Sequence, residues 1–408
     1  MPPRSVSLLR NATLSDGRRV DVAIDGAVVH DVFEAGTAAT PEAAAADPAS
    51  VLDLDGYLLL TAPADPHAHL DKALSFDAVQ PPFGDLGTAI EAWIAWSADV
   101  TIDNIVARAR EQVLQMVANG TTAIRSHADV LPGNAARNVA ALAQVRAELG
   151  HLVDLEIVAL CSSFVSDAEI EEALAAGATV LGGAPHLAED PIAELERLLA
   201  IAERHHLAVD LHTDESLDGP LTLDAYARAV RDWPRDRQYS AGHCCRLGTL
   251  ESAELDAVID EVKASDLGII SLPITNLYLQ GWQHPVSTPR GLTALRALID
   301  AGVRVGAGAD NVRDPFNPVG RSDAFETASL LITAGHLTPE ESWSLVSDGA
   351  RSVMGLPVAG AVPGARADLV AIRAASLLEA IAVASADRLV LHGGRLIAET
   401  TLSRSLAL

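Results

Sequence analysis

The residues best suited to chemistry lie in one short stretch, Asp65–Lys72, which holds two histidines separated by one residue, His67 and His69. The apolar run Tyr57–Ala64 precedes it and predicts a buried strand. Pro66 favours a break in that strand, so both imidazoles can point to one place. Imidazole is a common metal ligand, so the spacing is typical of half of a metal site, although two histidines that merely line a loop would look the same.

Elements that could position such a site follow along the chain, where apolar runs alternate with helical stretches. Strands are predicted at Tyr57–Pro66, Thr121–Val130, Leu155–Ser163, Thr179–His186, Ala208–Glu215, Gln238–Cys245, Gly268–Asn276 and Arg304–Val312. Helices are predicted at Ile102–Ala118, Asn134–Leu149, Pro191–His205, Leu250–Ala264 and Pro289–Ala301. This alternation predicts an α/β fold, a (β/α)8 TIM-like barrel. An open doubly wound sheet would need a glycine-rich phosphate-binding sequence after its first strand, and the chain has none there.

Both chain ends contain short alternating runs typical of small strands, such as Arg19–Ile24 before an Asp-Gly turn and Asp368–Ile372 near the C-terminus. The Ala- and Pro-rich segment 35–50 predicts a loop. Since chain termini often lie close together, we expect both ends to form one small β-sandwich. The predicted domains are therefore residues 1–60 and 356–408 for the sandwich and residues 61–355 for the catalytic barrel.

The carboxyl ends of barrel strands carry the chemistry of this fold, so polar residues there are candidates for a site. They are His67 and His69 on strand one, His212 to Glu215 on strand five, His243 on strand six, and Asp310 and Asn311 on strand eight. Some neighbours have simpler interpretations. We expect His127 to be hydrogen-bonded beside Arg125 and Asp129, and Asp214 to orient other groups rather than bind metal. The roles of Cys244 and Cys245 stay open, with at least one expected to be buried.

Composition excludes several classes of protein. The net charge of −26 argues against nucleic acid and anionic membranes as partners. No window is apolar over the length needed to span a bilayer, and residues 1–20 do not resemble a signal peptide. The three cysteines suggest no disulfide framework. We therefore expect a cytoplasmic protein with a small-molecule partner. The oligomeric state stays open, with a homo-oligomer as one option.

Five spaced segments resemble the amidohydrolase superfamily, and within it the cytosine-deaminase-like branch. They begin at His67-Ala-His69-Leu-Asp-Lys72 and continue through Asp210-Leu-His212-Thr-Asp-Glu215, His243, Leu277-Tyr-Leu-Gln280-Gly281 and Gly308-Ala-Asp310-Asn311-Val-Arg-Asp-Pro-Phe316. The resemblance spans the whole chain and includes the sandwich formed by both ends. It implies a metal-dependent hydrolase that cleaves the exocyclic C–N bond of an oxo-substituted N-heterocycle, pyrimidine- or triazine-like.

The resemblance also implies a role for each residue. His67, His69, His212 and Asp310 would bind one divalent ion, zinc or iron, which turns bound water into a hydroxide nucleophile. Asp310 would accept a proton, His243 would orient the hydroxide, and Glu215 would carry a proton to the ring nitrogen and then to the departing amine. Related enzymes with two metals use a lysine on strand four. Since Thr179–His186 contains no lysine, we expect a site with a single metal.

The substrate-binding positions differ from those of cytosine deaminases. Cys161 and Ser162 replace a glutamine on strand three, Asn311 replaces a carboxylate, and Phe316 replaces a tryptophan. These changes argue against cytosine itself. Lys72 and Asn311 instead resemble the branch typified by N-isopropylammelide isopropylaminohydrolase. We expect Lys72, Ser162, Asn311 and Phe316 to bind the substrate, although Lys72 could instead pair with Asp71 or Asp129.

Two other functions remain open from sequence. A cyclic-amide hydrolase would open a lactam or imide ring, but the bridging lysine common in that class is missing. A non-catalytic scaffold of the same fold would normally have lost ligands, whereas all of them are present here.

Overall fold

The computed structural model describes residues 3–37 and 48–407 of the 408-residue chain. The predicted loop 35–50 therefore lies mostly outside the described residues. The N-terminal strands within the described ranges are β1 (Arg4–Ser5), β2 (Leu8–Thr13), β3 (Arg19–Asp25), β4 (Val28–Glu34), β5 (Val51–Asp53) and β6 (Tyr57–Thr61).

Parallel strands form the barrel. In the described part of the chain there are eight of them, and each pairs with the next in sequence order. They are β7 (Ala64–Ala68), β8 (Ala123–Val130), β9 (Asp154–Cys161), β10 (Val180–Gly183), β11 (Ala208–Thr213), β12 (Tyr239–His243), β13 (Gly268–Ser271) and β14 (Val305–Ala307). The first strand and the segment after the last one meet where Asp310 N donates to His67 O at 2.9 Å. The predicted barrel is confirmed.

Helices surround the barrel and cross its mouth. They are α1 (Phe76–Val79), α2 (Leu86–Ser97), α3 (Ile102–Ala118), α4 (Arg137–Leu149), α5 (Asp167–Ala175), α6 (Pro191–His205), α7 (Leu223–Val230), α8 (Ser252–Ser265), α9 (Pro273–Leu279), α10 (Leu295–Asp300), α11 (Ala324–Thr333), α12 (Pro339–Ser344) and α13 (Ala350–Met354). Within the described ranges, every helix is too short or too polar to cross a lipid bilayer.

The C-terminal segment completes a second sheet with β15 (Leu369–Arg373), helix α14 (Leu377–Val383), β16 (Arg388–His392) and β17 (Arg395–Thr400). β6 pairs with β15 and β1 pairs with β17, so both chain ends contribute to one mixed sheet, as predicted. Strands from both halves of this sheet share an apolar core that is separate from the barrel core. The predicted boundaries of the two domains stay a prediction.

Several predicted strands are longer than those in the structure; for example, the strand predicted at Arg304–Val312 is Val305–Ala307. Two of the differences have a clear cause in the sequence. Tyr57–Pro66 is not one strand but two, β6 in the end sheet and β7 in the barrel, with the Ala62-Pro63 pair between them. Proline lacks the N–H that would continue a ladder. His67 therefore lies inside β7, and His69 follows that strand directly. The strand predicted at Gly268–Asn276 stops at Ser271, because Pro273 begins α9.

Candidate active site

Three imidazole rings meet at the carboxyl ends of β7 and β11. The Nε2 atom of His212 lies 3.3 Å from Nε2 of His67 and 3.2 Å from Nε2 of His69. Asp310, just beyond β14, places Oδ1 3.2 Å from Nε2 of His69 and 3.9 Å from Nε2 of His67. The structure thus brings together the four predicted metal ligands from three strand ends, and all four are buried.

These four side chains fit a divalent metal ion. Both carboxylate oxygens of Asp310 are buried without a hydrogen-bond partner among the described residues. Burial lowers the pKa of His67, His69 and His212 well below the usual value, so the rings are neutral and have a lone pair to offer. Ligand atoms at zinc–nitrogen distance from one tetrahedral ion lie about 3.3 Å apart, which matches the spacing of the imidazole nitrogens.

A second group of possible ligands, His67, His127 and Asp210, lies below this site. Its carboxylate is already paired, because Arg125 Nη1 lies 2.9 Å from Oδ2 of Asp210. A buried guanidinium beside a would-be ligand disfavours a second cation there. Strand β10, Val180–Gly183, carries no lysine that could bridge two ions. Both observations favour a single metal.

The chain turns sharply where the polar residues begin. Asp214, His243 and Asp310 all have positive φ angles, which end the strands and redirect the chain at the mouth. β11 ends at Thr213, two residues before the end of the predicted strand Ala208–Glu215, so Glu215 follows on the loop. The carboxylate of Asp214 accepts from the backbone N–H groups of Thr222 and Leu223 at the start of α7. This confirms the expectation that it is an orienting group and not a ligand.

Glu215 and His243 lie next to each other beside the four ligands. Glu215 Oε1 is 3.5 Å from His243 Nδ1, and burial raises the pKa of Glu215 to about 8. The carboxyl group can therefore hold a proton near neutral pH. The amide of Asn276 lies 2.9 Å from the same Nδ1 and donates to it, which leaves the ring proton of the neutral imidazole on Nε2. That Nε2 has no partner among the described residues, so its proton is available to a ligand.

A cavity of about 380 Å³ opens above these groups. All four predicted substrate-binding residues, Lys72, Ser162, Asn311 and Phe316, line it. The Asn311 amide donates to Asp314 Oδ2 at 2.8 Å, so its carbonyl oxygen is the atom that can accept from a ligand. Ser162 Oγ accepts from the backbone N–H of Phe164, which leaves its hydroxyl proton available.

Lys72 is buried and paired. Its Nζ lies 2.9 Å from Asp129 Oδ1 and 3.7 Å from Asp71 Oδ1. Burial would lower its pKa, but the two carboxylates outweigh that effect and raise it, so the amine is charged. Its Nζ also lies within 6 Å of the ring centroids of Trp93 and Phe316. The ion-pair interpretation therefore holds, and the side chain also reaches the cavity.

The structure corrects the expectation for His127. Its ring packs against the ring of His67, with centroids 4.0 Å apart. Both of its nitrogens lack a hydrogen-bond partner within the described residues, so it is not the hydrogen-bonded neighbour of Arg125 and Asp129 that we expected. The reason is that Asp129 is already used by Lys72 and by the indole of Trp93. Cys244 and Cys245 are both fully buried.

Helix α2 was missed from sequence, although it covers one side of the cavity. Leu86, Ile90 and Ile94 recur at the i, i+4, i+8 spacing of one helical face, and Asp85 caps the helix by accepting from the N–H of Thr88. Those two signals could have found it. Trp93 on α2 donates its indole N–H to Asp129 at 2.6 Å and so fastens the helix to the barrel.

Comparisons with known proteins agree with this geometry. The family model described as amidohydrolase family matches residues 107–398. A pterin deaminase from Rhizobium rhizogenes is 32% identical and covers 93% of this chain and 88% of its own. An N-isopropylammelide isopropylaminohydrolase structure from Burkholderia multivorans is 27% identical, with a TM-score of 0.81 and coverage of 96% and 98% of the two chains. A 5-methylcytosine deaminase structure from Klebsiella pneumoniae, 24% identical, has the same fold, with a TM-score of 0.86 and coverage of 98% and 100%. The chain therefore belongs to the amidohydrolase family and is an enzyme that acts on C–N bonds.

Proposed function

We propose that the protein is a mononuclear metal-dependent deaminase of oxo-substituted N-heterocycles. The leading substrate class is the pterins, in which an amino- and oxo-substituted pyrimidine is fused to a second ring. The observation that carries this proposal is the convergence of His67, His69, His212 and Asp310 beside Glu215 and His243. The relative named as a pterin deaminase, which matches nearly the whole chain, supports a fused ring over a single ring.

The reaction would replace an exocyclic amine by a carbonyl: water adds to the ring carbon, the C–N bond breaks, and ammonia leaves. His67, His69, His212 and Asp310 would hold one zinc or iron ion, which suits their nitrogen and oxygen donors. When bound, that ion would supply water activation by lowering the pKa of water at the site.

The remaining work would fall to three side chains. Asp310, whose carboxylate oxygens have no hydrogen-bond partner among the described residues, would accept a proton from the attacking water. His243, neutral because burial lowers its pKa to about 3, would donate a hydrogen bond from its Nε2–H and so hold the attacking oxygen in place. Glu215 would carry a proton to the ring nitrogen and then to the departing amine, since its raised pKa lets it take up and release a proton near neutral pH.

The substrate ring would be held from its other side. The face of Phe316 offers a stacking surface, and the Asn311 carbonyl oxygen would accept a ring N–H. Ser162 would donate to a ring oxygen or nitrogen. The charge of Lys72 is already balanced by Asp129. The remaining N–H groups of its ammonium would donate hydrogen bonds to an oxo group of the substrate.

A cyclic-amide hydrolase is the alternative function and would use the same ligands. It is disfavoured because β10 carries no lysine that could bridge a second ion. A non-catalytic scaffold is disfavoured because the complete set of polar side chains converges in the cavity.

An ammonia- and amine-release screen of the purified, metal-loaded protein tests the proposal. Its panel should hold pterins, oxopurines, cytosines, hydroxytriazines with alkylamine substituents, and lactams. We expect ammonia release from a fused aminopyrimidine. Ring opening of a lactam without amine release would favour the alternative.

A further inference from the structure

The outer part of the cavity is apolar along one wall. Leu86, Ile90 and Ile94 of α2 line it, and Ile94 is half exposed to solvent although it is large and apolar. These residues lie on one face of the helix. The neighbouring side chains Ala89, Trp93 and Ser97 make the buried contact with the barrel. The cavity face of α2 is therefore not needed to pack the helix.

Further apolar residues line the same cavity from β9 and from the loops after β8, β9 and β10. They are Leu131, Leu160, Phe164 and Leu187. Phe164 is 86% exposed and Leu187 is 49% exposed. Large apolar side chains left in water around a cavity are typical of a surface that a ligand covers.

This apolar region lies across the mouth from the groups that handle the departing amine. Trp93 of α2 donates a hydrogen bond to Asp129 in β8. Asp129 in turn pairs with Lys72, which follows β7 in the sequence. Glu215 and His243, in contrast, stand at the ends of β11 and β12. Since the strands run in sequence order around the barrel, the apolar wall lies over the early strands and the amine leaves over the later ones.

The charge at the mouth restricts what can bind there. Among the described residues that line the cavity, Lys72 is the one lysine or arginine, and its charge is balanced by Asp129 at 2.9 Å and Asp71 at 3.7 Å. An anionic substituent would meet the carboxylate of Asp129 without a free cation to offset it.

We infer that the apolar region formed by α2, β9 and the loops after β8, β9 and β10 is a subsite for an uncharged, apolar substituent on the substrate ring, at the end of the heterocycle opposite to the departing amine. In a fused aminopyrimidine this end is the second ring. The inference rests on the proposed function and adds a substrate preference to it.

The test compares kcat/KM of the metal-loaded enzyme for unsubstituted pterin, 6-propylpterin and pterin-6-carboxylate. Ile94→Asp places a charge in the subsite at a half-exposed position that folding tolerates. Ala95→Asp is the matched control, because it places the same charge on the same helix at an exposed position that does not line the cavity. Metal content and circular dichroism of all three proteins are measured alongside.

We expect wild type to prefer the propyl compound over the carboxylate by about tenfold or more, the size of effect that a few apolar contacts give. Ile94→Asp should lose most of that preference, because a carboxylate at this position disfavours the propyl group, and Ala95→Asp should keep the wild-type preference. Two results would overturn the subsite alone. One is turnover of pterin without a preference for 6-propylpterin over pterin-6-carboxylate. The other is an equal loss of kcat/KM for all three substrates in Ile94→Asp. Absence of turnover with every pterin overturns the proposed function and the subsite together.

Discussion

Glu215 is the residue whose environment most directly suggests a chemical role. Burial raises the pKa of its carboxyl group to about 8, and its Oε1 lies 3.5 Å from His243 Nδ1. Glu215→Gln keeps the size of the side chain but cannot transfer a proton. We expect kcat to fall by roughly 10²–10⁴-fold while the bound metal, measured by elemental analysis, stays at the wild-type level. Near-normal turnover would remove Glu215 from the mechanism.

Lys72 needs a test that separates its ion pair from substrate binding. Lys72→Met leaves Asp129 buried without its cation, so we expect the free energy of unfolding to fall by about 3 kcal/mol, measured by urea titration. It should also raise KM. The double variant Lys72→Met/Asp129→Asn removes the charge of Asp129 but keeps an oxygen that can accept from the indole of Trp93, so it should recover part of the stability without releasing α2.

The KM of that double variant separates the two roles. If Lys72 acts on the substrate, KM stays high although stability returns. A KM that returns with stability would show that Lys72 serves the fold and not the substrate.

The residues of the site could largely be found from sequence, because metal ligands at strand ends keep a fixed order and spacing. His67, His69, His212 and Asp310 converge as the pattern predicted. The environment of His127 could not be predicted correctly. Its ring contacts His67 on the adjacent strand inside the barrel, and no spacing in the sequence indicates such a contact.

Helix α2 carries one wall of the cavity and is fastened by a side-chain hydrogen bond. Trp93→Phe keeps the ring but removes the indole N–H that Asp129 accepts at 2.6 Å. We expect faster amide hydrogen exchange over residues 86–97 and a higher KM, because a hydrogen bond to a charged group contributes about 1.5–3 kcal/mol.

Trp96→Phe is the matched control for this change, since Trp96 lies on the same helix and is not a cavity residue. Its exchange pattern and KM should match wild type. Unchanged exchange over α2 in Trp93→Phe would mean that apolar packing alone holds the helix.

Elements of the barrel were easier to predict than the elements above it. Apolar strands and amphipathic helices show a clear repeat of apolar residues in the sequence. Helix α2, between the loop after the first barrel strand and α3, has one face that packs on the barrel and another that lines the cavity, so its repeat is less clear. The run Tyr57–Pro66 was read as one strand because both of its halves are buried, and burial does not tell which sheet a strand joins.

At the scale of the whole molecule, a partly buried cluster of charged side chains connects the two sheets. His392 on β16 lies 3.2 Å from Asp368 in the end-sheet segment and 3.5 Å from Asp154 at the start of β9. Burial would lower the pKa of His392, but the two carboxylates outweigh it and raise the pKa to about 9. Protonated His392 thus connects the end sheet to the barrel.

This cluster predicts how stability depends on pH. Because the pKa of His392 is raised above its unfolded value of about 6.5, its contribution is complete below pH 6.5 and is lost as pH rises through 9. We expect wild type to lose about 2 kcal/mol more than His392→Gln between pH 6.5 and 10, measured by urea unfolding. His30→Gln, at an exposed position of β4, is the control and should follow the wild-type pH curve. Parallel pH curves for wild type and His392→Gln would contradict this.

The measurement that tests the proposed function most directly is a metal titration of chelator-treated protein, with ammonia release from pterin as the readout. The four proposed ligands lie in one group. Of the two other groups of possible ligands among the described residues, one shares His67 and Asp310 with this site, and in the other the carboxylate of Asp210 is already paired with Arg125. We therefore predict that activity rises linearly with added zinc or iron(II) and stops rising at one equivalent per chain. A break at two equivalents, or full activity without added metal, would contradict a deaminase with a single catalytic metal ion.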